Sequence, residues 1–554
     1  MRITGRRLVI IAIVVVVAAG GVIGGLVATS GSGPEFPAAD SYAHGQLSAD
    51  SGPFLTDSEG RVVFLRGVNA VYKRAPYELY VDPGKPWNFT AADAKRMAKL
   101  GFNVVRLGVI WAGLEPGTVG PNNPAICTAG TPGNPHQFNT TVADAYLAKV
   151  KETVDLLGKY HIYTLLDMHE DVYSSEFGGE GAPPWAVCSD AYPIGTLPGR
   201  WSNTYNDPAL RTAVEHFWSN DVVGDLQGEY DHVWQVVARY FSGNQWIAGY
   251  DPINEPFTRD LTKTSAPAGS PYVAGHLECF YTGKAHPGLS FHDGSVLSCP
   301  PDDPSQGLIR TIKAADPHHL VFFEPDIFSS RGKHSDVGPM DLKGLVYNFH
   351  VYCGLRSGVT GDPTNVAACA AEELKTMQRR SEERPDMADA KQPAGPAWFI
   401  SEFGATNDND LIELLTANAD QLQLGWTYWA WKYYNDPTGS SDEALVTATG
   451  ALAPTAASLS RAYPQAVSGT PVSFSFDPKH AEFHLFYVPK AHATAPTVIF
   501  VPVAVHYPKG YCARVTGGTI ISERNATHLV IANQPSAPSV TVSIKPVSCN
   551  GSGV

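Results

Sequence analysis

The sequence predicts an α/β fold, a (β/α)8 TIM barrel with a small C-terminal antiparallel β-sandwich. Two patterns carry this prediction. From Phe54 to about Tyr463, short apolar runs alternate with amphipathic stretches of helical period, and strands alternating with helices build a parallel sheet. The runs suffice for the eight βα units that close such a sheet into a barrel. After Tyr463 the runs become short and alternating, divided by Pro, Gly and Asn, as in antiparallel strands.

At the start of the chain, Arg2, Arg6 and Arg7 precede an uncharged apolar run from Leu8 to Ala28. That pattern marks residues 1–29 as a signal peptide or an N-terminal membrane anchor. The positive head would leave the remainder outside the cell, secreted or tethered at its surface. Residues 30–45, rich in Gly, Ser, Pro and Ala, read as a flexible linker. The barrel is expected over 46–464. Strand one covers 61–69, and Thr90 caps a helix that ends before Gly101. Strand two is 102–110, followed by a helix at 141–160. Strand three is 161–168, and a helix at 221–241 leads to strand four at 246–254. A helix at 308–315 leads to strand five at 319–324, with strand six at 344–350. Helices at 370–380 and 410–422 bracket strand seven at 397–402, and strand eight is 425–431. Gly/Pro/aromatic-rich insertions follow strands three, four and six, on the face where a barrel carries its site. The sandwich is expected over 465–554, with strands at 472–476, 482–487, 497–501, 528–531 and 539–544.

Composition narrows the function. Of 554 residues, 44% are hydrophobic and 10% aromatic, and the formal net charge is −14. The acidity excludes a nucleic-acid partner, which calls for a basic footprint. Eight cysteines form no CxxC pair and no metal-ligand spacing, so behind an export signal they read as disulfides. Neighbours in sequence suggest Cys279–Cys299, Cys353–Cys369 and Cys512–Cys549. Asn88, Asn139 and Asn525 lie in N-x-T sequons, which matter where the host glycosylates. A monomer is expected.

The chemistry centres on two acids. An apolar run from Trp246 to Tyr250 ends in Asn254-Glu255-Pro256, and proline marks where a strand stops. A second apolar run ends in Glu402 followed by Phe403-Gly404. Barrel strands converge at their C-terminal tips, so these glutamates can meet although far apart in the chain. Paired carboxylates flanking a glycosidic bond are what acid/base-assisted glycoside cleavage requires. The bland reading of either acid is a cap on the following turn.

Other polar groups sit at strand ends. Arg106, inside an apolar strand, needs an anion partner, for which Glu402 is the candidate; a structural salt bridge is the alternative. Asp167, His169, Glu170 and Asp171 cluster after strand three. A zinc site there is weakly indicated, because no second histidine follows at helical spacing. His350-Val351-Tyr352 brings a phenol within reach of Glu402. Of Trp426, Trp429 and Trp431, one face can stack on a pyranose while others fill the core.

This constellation resembles the retaining glycoside hydrolases of family 5. The family's pattern is met in order by Arg106, His169, Asn254-Glu255, His350-Val351-Tyr352, Glu402 and Trp429. Within that family the likeness is to the endoglycoceramidases, which cut the bond between glycan and ceramide in glycosphingolipids. It rests on Gly67-Val68-Asn69 with Lys73 and Pro76, on Asp167 to Tyr173, and on Gly425 to Trp431. Glu170 departs from the pattern, where Gln is expected, and adds a carboxyl near the sugar. The resemblance implies that Glu402 attacks the anomeric carbon while Glu255, starting protonated, serves as acid and then base. Lys73, Asp167 and Asp171 are implied for the sugar hydroxyls, with no cofactor or metal. It also implies a membrane surface as a partner and an apolar slot for the lipid, to which Pro183-Pro184-Trp185 and Ile327-Phe328 could contribute. The rivals are a β-1,4-glucanase, a β-glucosidase acting on glucosylceramide or steryl glucoside, and an inactive glycan- or lipid-binding barrel.

Overall fold

The structure is a computed structural model. It describes residues 45–546 apart from 50–51, 80–83, 86–87, 134, 191, 198–199, 259–275, 284–306, 336, 355–364 and 491–494. The expected leader and nearly all of the expected linker lie outside the described residues, as do Cys299 and Cys549. Among the described residues no helix is long and apolar enough to cross a membrane.

Eight parallel strands close into a barrel. They are β1 (Arg66–Ala70), β2 (Val104–Val109), β3 (Tyr163–Met168), β4 (Ile247–Asp251), β5 (Leu320–Phe323), β6 (Leu345–Val351), β7 (Ala397–Gly404) and β8 (Gly425–Trp429). Each hydrogen-bonds to its neighbours in sequence, and β8 closes on β1 through Trp426 beside Arg66. The strands are buried throughout, which is why they read as continuous apolar runs rather than alternating ones. The helix Ala91–Leu100 starts at a capping box between Thr90 and Asp93 and ends at Gly101 in the left-handed region, as its sequence signals require.

The expected first strand is split. Val62–Val63 pairs with Leu55–Thr56 and with Tyr463–Val467 of the C-terminal domain, while Arg66–Ala70 enters the barrel. Alternation cannot reveal this, because both halves are buried. The C-terminal domain is two antiparallel sheets. One has the order Leu55–Thr56, Val62–Val63, Tyr463–Val467, Thr497–Phe500, His528–Asn533, Gly518–Ile520; the other is Gly469–Asp477, Glu482–Pro489, Val540–Pro546, Tyr511–Thr516. Their facing side chains form a separate apolar core around Phe474, Phe483, Tyr487, Phe500 and Ile544.

Cys353–Cys369 is formed as expected, whereas Cys127 bonds Cys188, a pair too distant in sequence for proximity to suggest. That bond ties the loop after β2 to the insertion after β3. Cys279 and Cys512 are also disulfide-bonded.

Candidate active site

The tips of β4 and β7 bring the two glutamates together. One oxygen of Glu255, one of Glu402 and a nitrogen of His350 lie within 4.8 Å of one another. That separation matches the close pairing of retaining glycosidases, where carboxyl groups stand about 5–5.5 Å apart, and not the wider gap that admits a water for inversion. Glu255 follows the strand in the left-handed region, φ 40°, a conformation that non-glycine residues adopt only under tertiary constraint. Its backbone N–H donates to Glu324 Oε2 at 3.0 Å, which holds the bend.

Below the pair lies Arg106, fully buried. Its guanidinium contacts Glu402 at 2.8 Å and Asp167, Asp251 and Glu324 at 2.9 Å each, and it donates to the amide oxygen of Asn254 at 2.9 Å. Burial works against its charge, but these carboxylates keep it protonated far above the ordinary range. The second cation is His350. Its Nδ1 is 2.9 Å from Glu255 and 3.4 Å from Glu402, and its Nε2 is 3.0 Å from Glu324. Burial opposes that charge too, yet Glu324 and Glu402 raise the imidazole well above its usual value. Glu324 shows the converse. Burial pushes it up, but His350 and Arg106 pull it down to about 2, so it stays ionised and fully engaged.

Glu402 is gripped at both oxygens, by Arg106 at Oε1 (2.8 Å) and by the Tyr352 hydroxyl at Oε2 (2.9 Å). Burial pushes it up to about 7 against the pull of His350 and Arg106. Asn254 is equally constrained: its oxygen faces Arg106, and its amide donates to the Glu170 carbonyl at 2.9 Å. An amide nitrogen carries two hydrogens, so one remains for a substrate hydroxyl.

Above this floor a pocket of about 290 Å³ is lined by Lys73, His169, Asp171, Asn254, Glu255, Tyr352, Glu402 and Trp429 among others. Its two halves differ. On the side of β1, β3 and β8, Lys73 contacts Asp171, Asp436 at 3.3 Å, Glu180 at 3.6 Å and the Thr438 hydroxyl at 2.9 Å. Its ammonium sits 4.5 Å from the Trp429 ring centroid. Glu443 accepts from the Trp429 indole N–H at 2.8 Å and fixes that ring. His169 is kept neutral by burial and by Lys73, and Asp167 at 2.7 Å from Nδ1 sets its tautomer. On the other side, Phe257, Ile327 and Phe328, with Trp201 and Tyr205 from the β3 insertion, bring aromatic and aliphatic surface into a lining that also includes Arg211, Ser330 and Arg331.

Two groups of side chains have metal-like spacing: His169, Asp171 and Glu180, and Glu255, His350 and Glu402. Lys73 contacts Asp171 and Glu180 of the first group, and Arg106 contacts Glu402 of the second.

The model of "Cellulase (glycosyl hydrolase family 5)" matches residues 57–435. The chain belongs to glycoside hydrolase family 5. The "Glycoside hydrolase family 5 C-terminal domain" model matches residues 461–545 of this family 5 glycosidase. Endoglycoceramidase I of Rhodococcus hoagii (strain 103S) is 28% identical to it, over 90% of this chain and 88% of that one. The endoglycoceramidase of Cyanea nozakii is 26% identical, over 86% and 88%. Among solved structures, endo-glycoceramidase II from Rhodococcus sp. in complex with ganglioside GM3 superposes with a TM-score of 0.66 at 23% identity. That match covers 90% of this chain and all of the other.

The family 5 glycosidase departs from its sequence-based expectations in several places. Arg106 pairs with Glu402 as expected, and it lies with Asp167 and His350 outside the lining of the pocket. Asp167, expected at the sugar hydroxyls, is fully buried and engages Arg106 and His169. Trp185 belongs to the core, edge-on to Trp111 with its indole N–H on the Glu115 carbonyl. Trp426 and Trp431 are likewise core, and Trp429 alone of the three faces the pocket. At Glu170, burial first, then Asp171 and Glu255, raise the carboxyl well above the ordinary range. Glu324 was readable, since Phe323-Glu324-Pro325 repeats the apolar run, acid and proline of Glu255. Asp436, Thr438 and Glu443 follow β8 in a polar loop without a motif, so nothing local distinguishes them.

Proposed function

We propose that the chain is a retaining endo-β-glycosidase that hydrolyses the bond between glycan and ceramide in glycosphingolipids. The observation that carries this is the two-sided pocket: a polar half around Lys73 and Trp429 and an aromatic half around Phe257 and Phe328 meet at Glu255 and Glu402. A polysaccharide cleft would need sugar-binding groups on both sides of the scissile bond. The endoglycoceramidase relatives support the same substrate class.

The reaction runs as a double displacement. The sugar stacks on Trp429, with hydroxyls on Lys73, Asp171, the neutral His169 and the free amide hydrogen of Asn254. Glu402, fixed by Arg106 and Tyr352, attacks the anomeric carbon through its carboxylate. The C–O bond to ceramide breaks, and Glu255 gives its proton to the departing oxygen. Glu255, now a carboxylate, takes a proton from water as that water displaces Glu402. The glycan leaves with its configuration retained and both carboxyl groups restored. His350, touching both acids, keeps their charges in balance as negative charge passes between them.

The test is the specificity constant on a ganglioside, on its ceramide-free aryl glycoside and on cellohexaose, in one detergent. Preference for the ganglioside is expected. Faster cleavage of cellohexaose sinks the proposal in favour of a β-glucanase. Residues 1–29 and the membrane-surface partner enter as part of the same proposal: a substrate held in a bilayer requires an enzyme delivered to the cell exterior and able to meet that surface.

A further inference from the structure

Glu170 stands between two of the groups assigned to sugar hydroxyls. Its backbone carbonyl accepts from the Asn254 amide at 2.9 Å, and its peptide bond leads directly into Asp171, which lines the pocket with Lys73. After Asp171 the chain bends through Val172 and Tyr173, at φ 49° and 70°. Two successive left-handed residues without a glycine are unusual, and a β-branched one is an outlier that persists only where its surroundings hold it. The returning chain packs hard against the bend. Asp171 and Glu180 exchange backbone hydrogen bonds at 3.2 Å, and the Tyr173 carbonyl accepts from the Ala182 N–H at 2.6 Å. A Cβ on Gly179 would stand 2.0 Å from the Asp171 carbonyl oxygen, and one on Gly181 would stand 2.7 Å from the Glu170 Cβ.

Side chains complete the hold on the bend. The Tyr205 hydroxyl accepts from the Val172 N–H at 3.2 Å, and Glu170 Oε2 accepts from the Tyr173 N–H at 2.6 Å. Glu170 thus reaches past Asp171 to grip the chain three residues on. It also lines a chamber of about 30 Å³, walled by Trp111, Met168, Tyr230 and Ile253 among others, which is too small to admit a sugar ring. Its carboxyl therefore acts on the chain and not on the glycan. Burial, then Asp171 and Glu255, raise that carboxyl well above the ordinary range. A protonated carboxyl keeps an acceptor oxygen, so the contact to Tyr173 needs no charge. Asp171 itself is closely specified: its carboxylate contacts Lys73 and accepts from the Thr438 hydroxyl at 2.7 Å. A clamp on a remote turn would serve stability alone; this one lies next in the chain to a group assigned to the sugar.

We propose that Glu170 is a positioning residue for sugar recognition: its side chain clamps the left-handed bend and so sets where Asp171 stands against the sugar hydroxyls. This rests on Asp171 as a sugar contact in the reading above. The test uses a soluble aryl glycoside of the ganglioside's glycan, so the lipid reading, decided by ganglioside against cellohexaose, fails or stands separately. E170M keeps the side-chain volume and removes the acceptor, and kcat/KM should fall roughly ten- to a hundredfold. E170Q, which keeps an acceptor oxygen, should recover most of that loss. In a D171N background the E170M loss should largely vanish, because a residue acting through Asp171 has nothing left to position. A purely structural clamp would lower the melting temperature in every background and give losses independent of Asp171. Thermal melts of each variant report folding, and E170A repeats the measurement with a smaller side chain. Unchanged kcat/KM in E170M, an equal loss in E170Q, or losses that add fully in E170M/D171N each overturn the proposal. So does failure of both E170M and E170A to fold, which would make Glu170 a determinant of the fold.

Discussion

At the residue scale, the division of labour between Glu255 and Glu402 is testable by pH. Glu402 is active as a carboxylate, and burial holds its folded pKa up to about 7. The nucleophile is therefore lost as pH falls through that value. Glu255 contributes to the upward push. In E255Q that push is gone, so the acid limb for an aryl glycoside with an activated leaving group should move to lower pH. A limb that stays or rises contradicts the coupling. On ceramide-linked substrate, whose leaving group needs a proton, E255Q and E402Q should each lose roughly a hundred- to ten-thousandfold in kcat. Losses within about tenfold, or 1.4 kcal/mol of barrier, would remove that residue from the reaction. Arg106, besides holding Glu402 for attack, carries a prediction about stability. R106M leaves Asp167, Asp251, Glu324 and Glu402 without their shared cation, at a cost of about 3–5 kcal/mol. Denaturant unfolding measures it, and a wild-type midpoint would show that the carboxylates neutralise one another by other means.

At the element scale, the sandwich and the barrel share structure that the chain order conceals. Arg66 of β1 is buried against Asp420, and its guanidinium lies 4.5 Å from the Tyr463 ring centroid and 5.5 Å from that of Phe474. Arg461 reaches the same Asp420 at 2.8 Å. The Tyr463 hydroxyl donates to the Gly101 carbonyl at 2.6 Å. A Cβ on Gly101 would stand 2.3 Å from the Phe500 ring, so the helix preceding β2 ends where the sandwich meets it. Truncation after Arg461 strips Val62–Val63 of one of its two sheet partners and exposes this seam. Such a chain should be insoluble or unfolded, and F500A in the full chain should cost about 3–5 kcal/mol. A soluble truncated enzyme with full turnover on lipid substrate would show the seam to be dispensable.

At the scale of the whole molecule, buried carboxyl groups outside the catalytic pair set how stability follows pH. Glu115 is pushed up to about 8 by burial, and Glu229 beside it to about 7; Asp231 is raised to about 7 by the same cause. A carboxyl whose folded pKa exceeds its unfolded value near 4.3 stabilises the fold fully only below the unfolded value. That contribution is lost as pH rises through about 7–8. Glu324, depressed by His350 and Arg106, acts in the opposite sense, and its contribution is lost as pH falls through about 2. Thermal melts from pH 5 to pH 9 should therefore show a falling Tm toward the alkaline end. E115Q should flatten that fall, and an alkaline slope unchanged in E115Q would assign it elsewhere.

The sequence by itself determined the barrel, the antiparallel C-terminal domain and which acids end strands, because these depend on local apolar periodicity and on proline and glycine punctuation. It also brought Arg106, Tyr352 and Glu402 into one hypothesis, since a charge inside an apolar strand must be paired wherever the strand goes. Depth was another matter. Whether Asp167 faces sugar or Arg106, and whether Trp185 lines a slot or fills the core, turns on fractions of a strand's twist that no local pattern records. Glu255 and Glu324 carry the same sequence signal, an acid ending an apolar run before proline. Only the tertiary structure separated them, by placing Arg106 and His350 where Glu324 is held permanently ionised while Glu255 remains at the pocket's edge. The split of the first expected strand between barrel and sandwich has the same cause: burial on both faces erases the alternation from which a strand's sheet could be read.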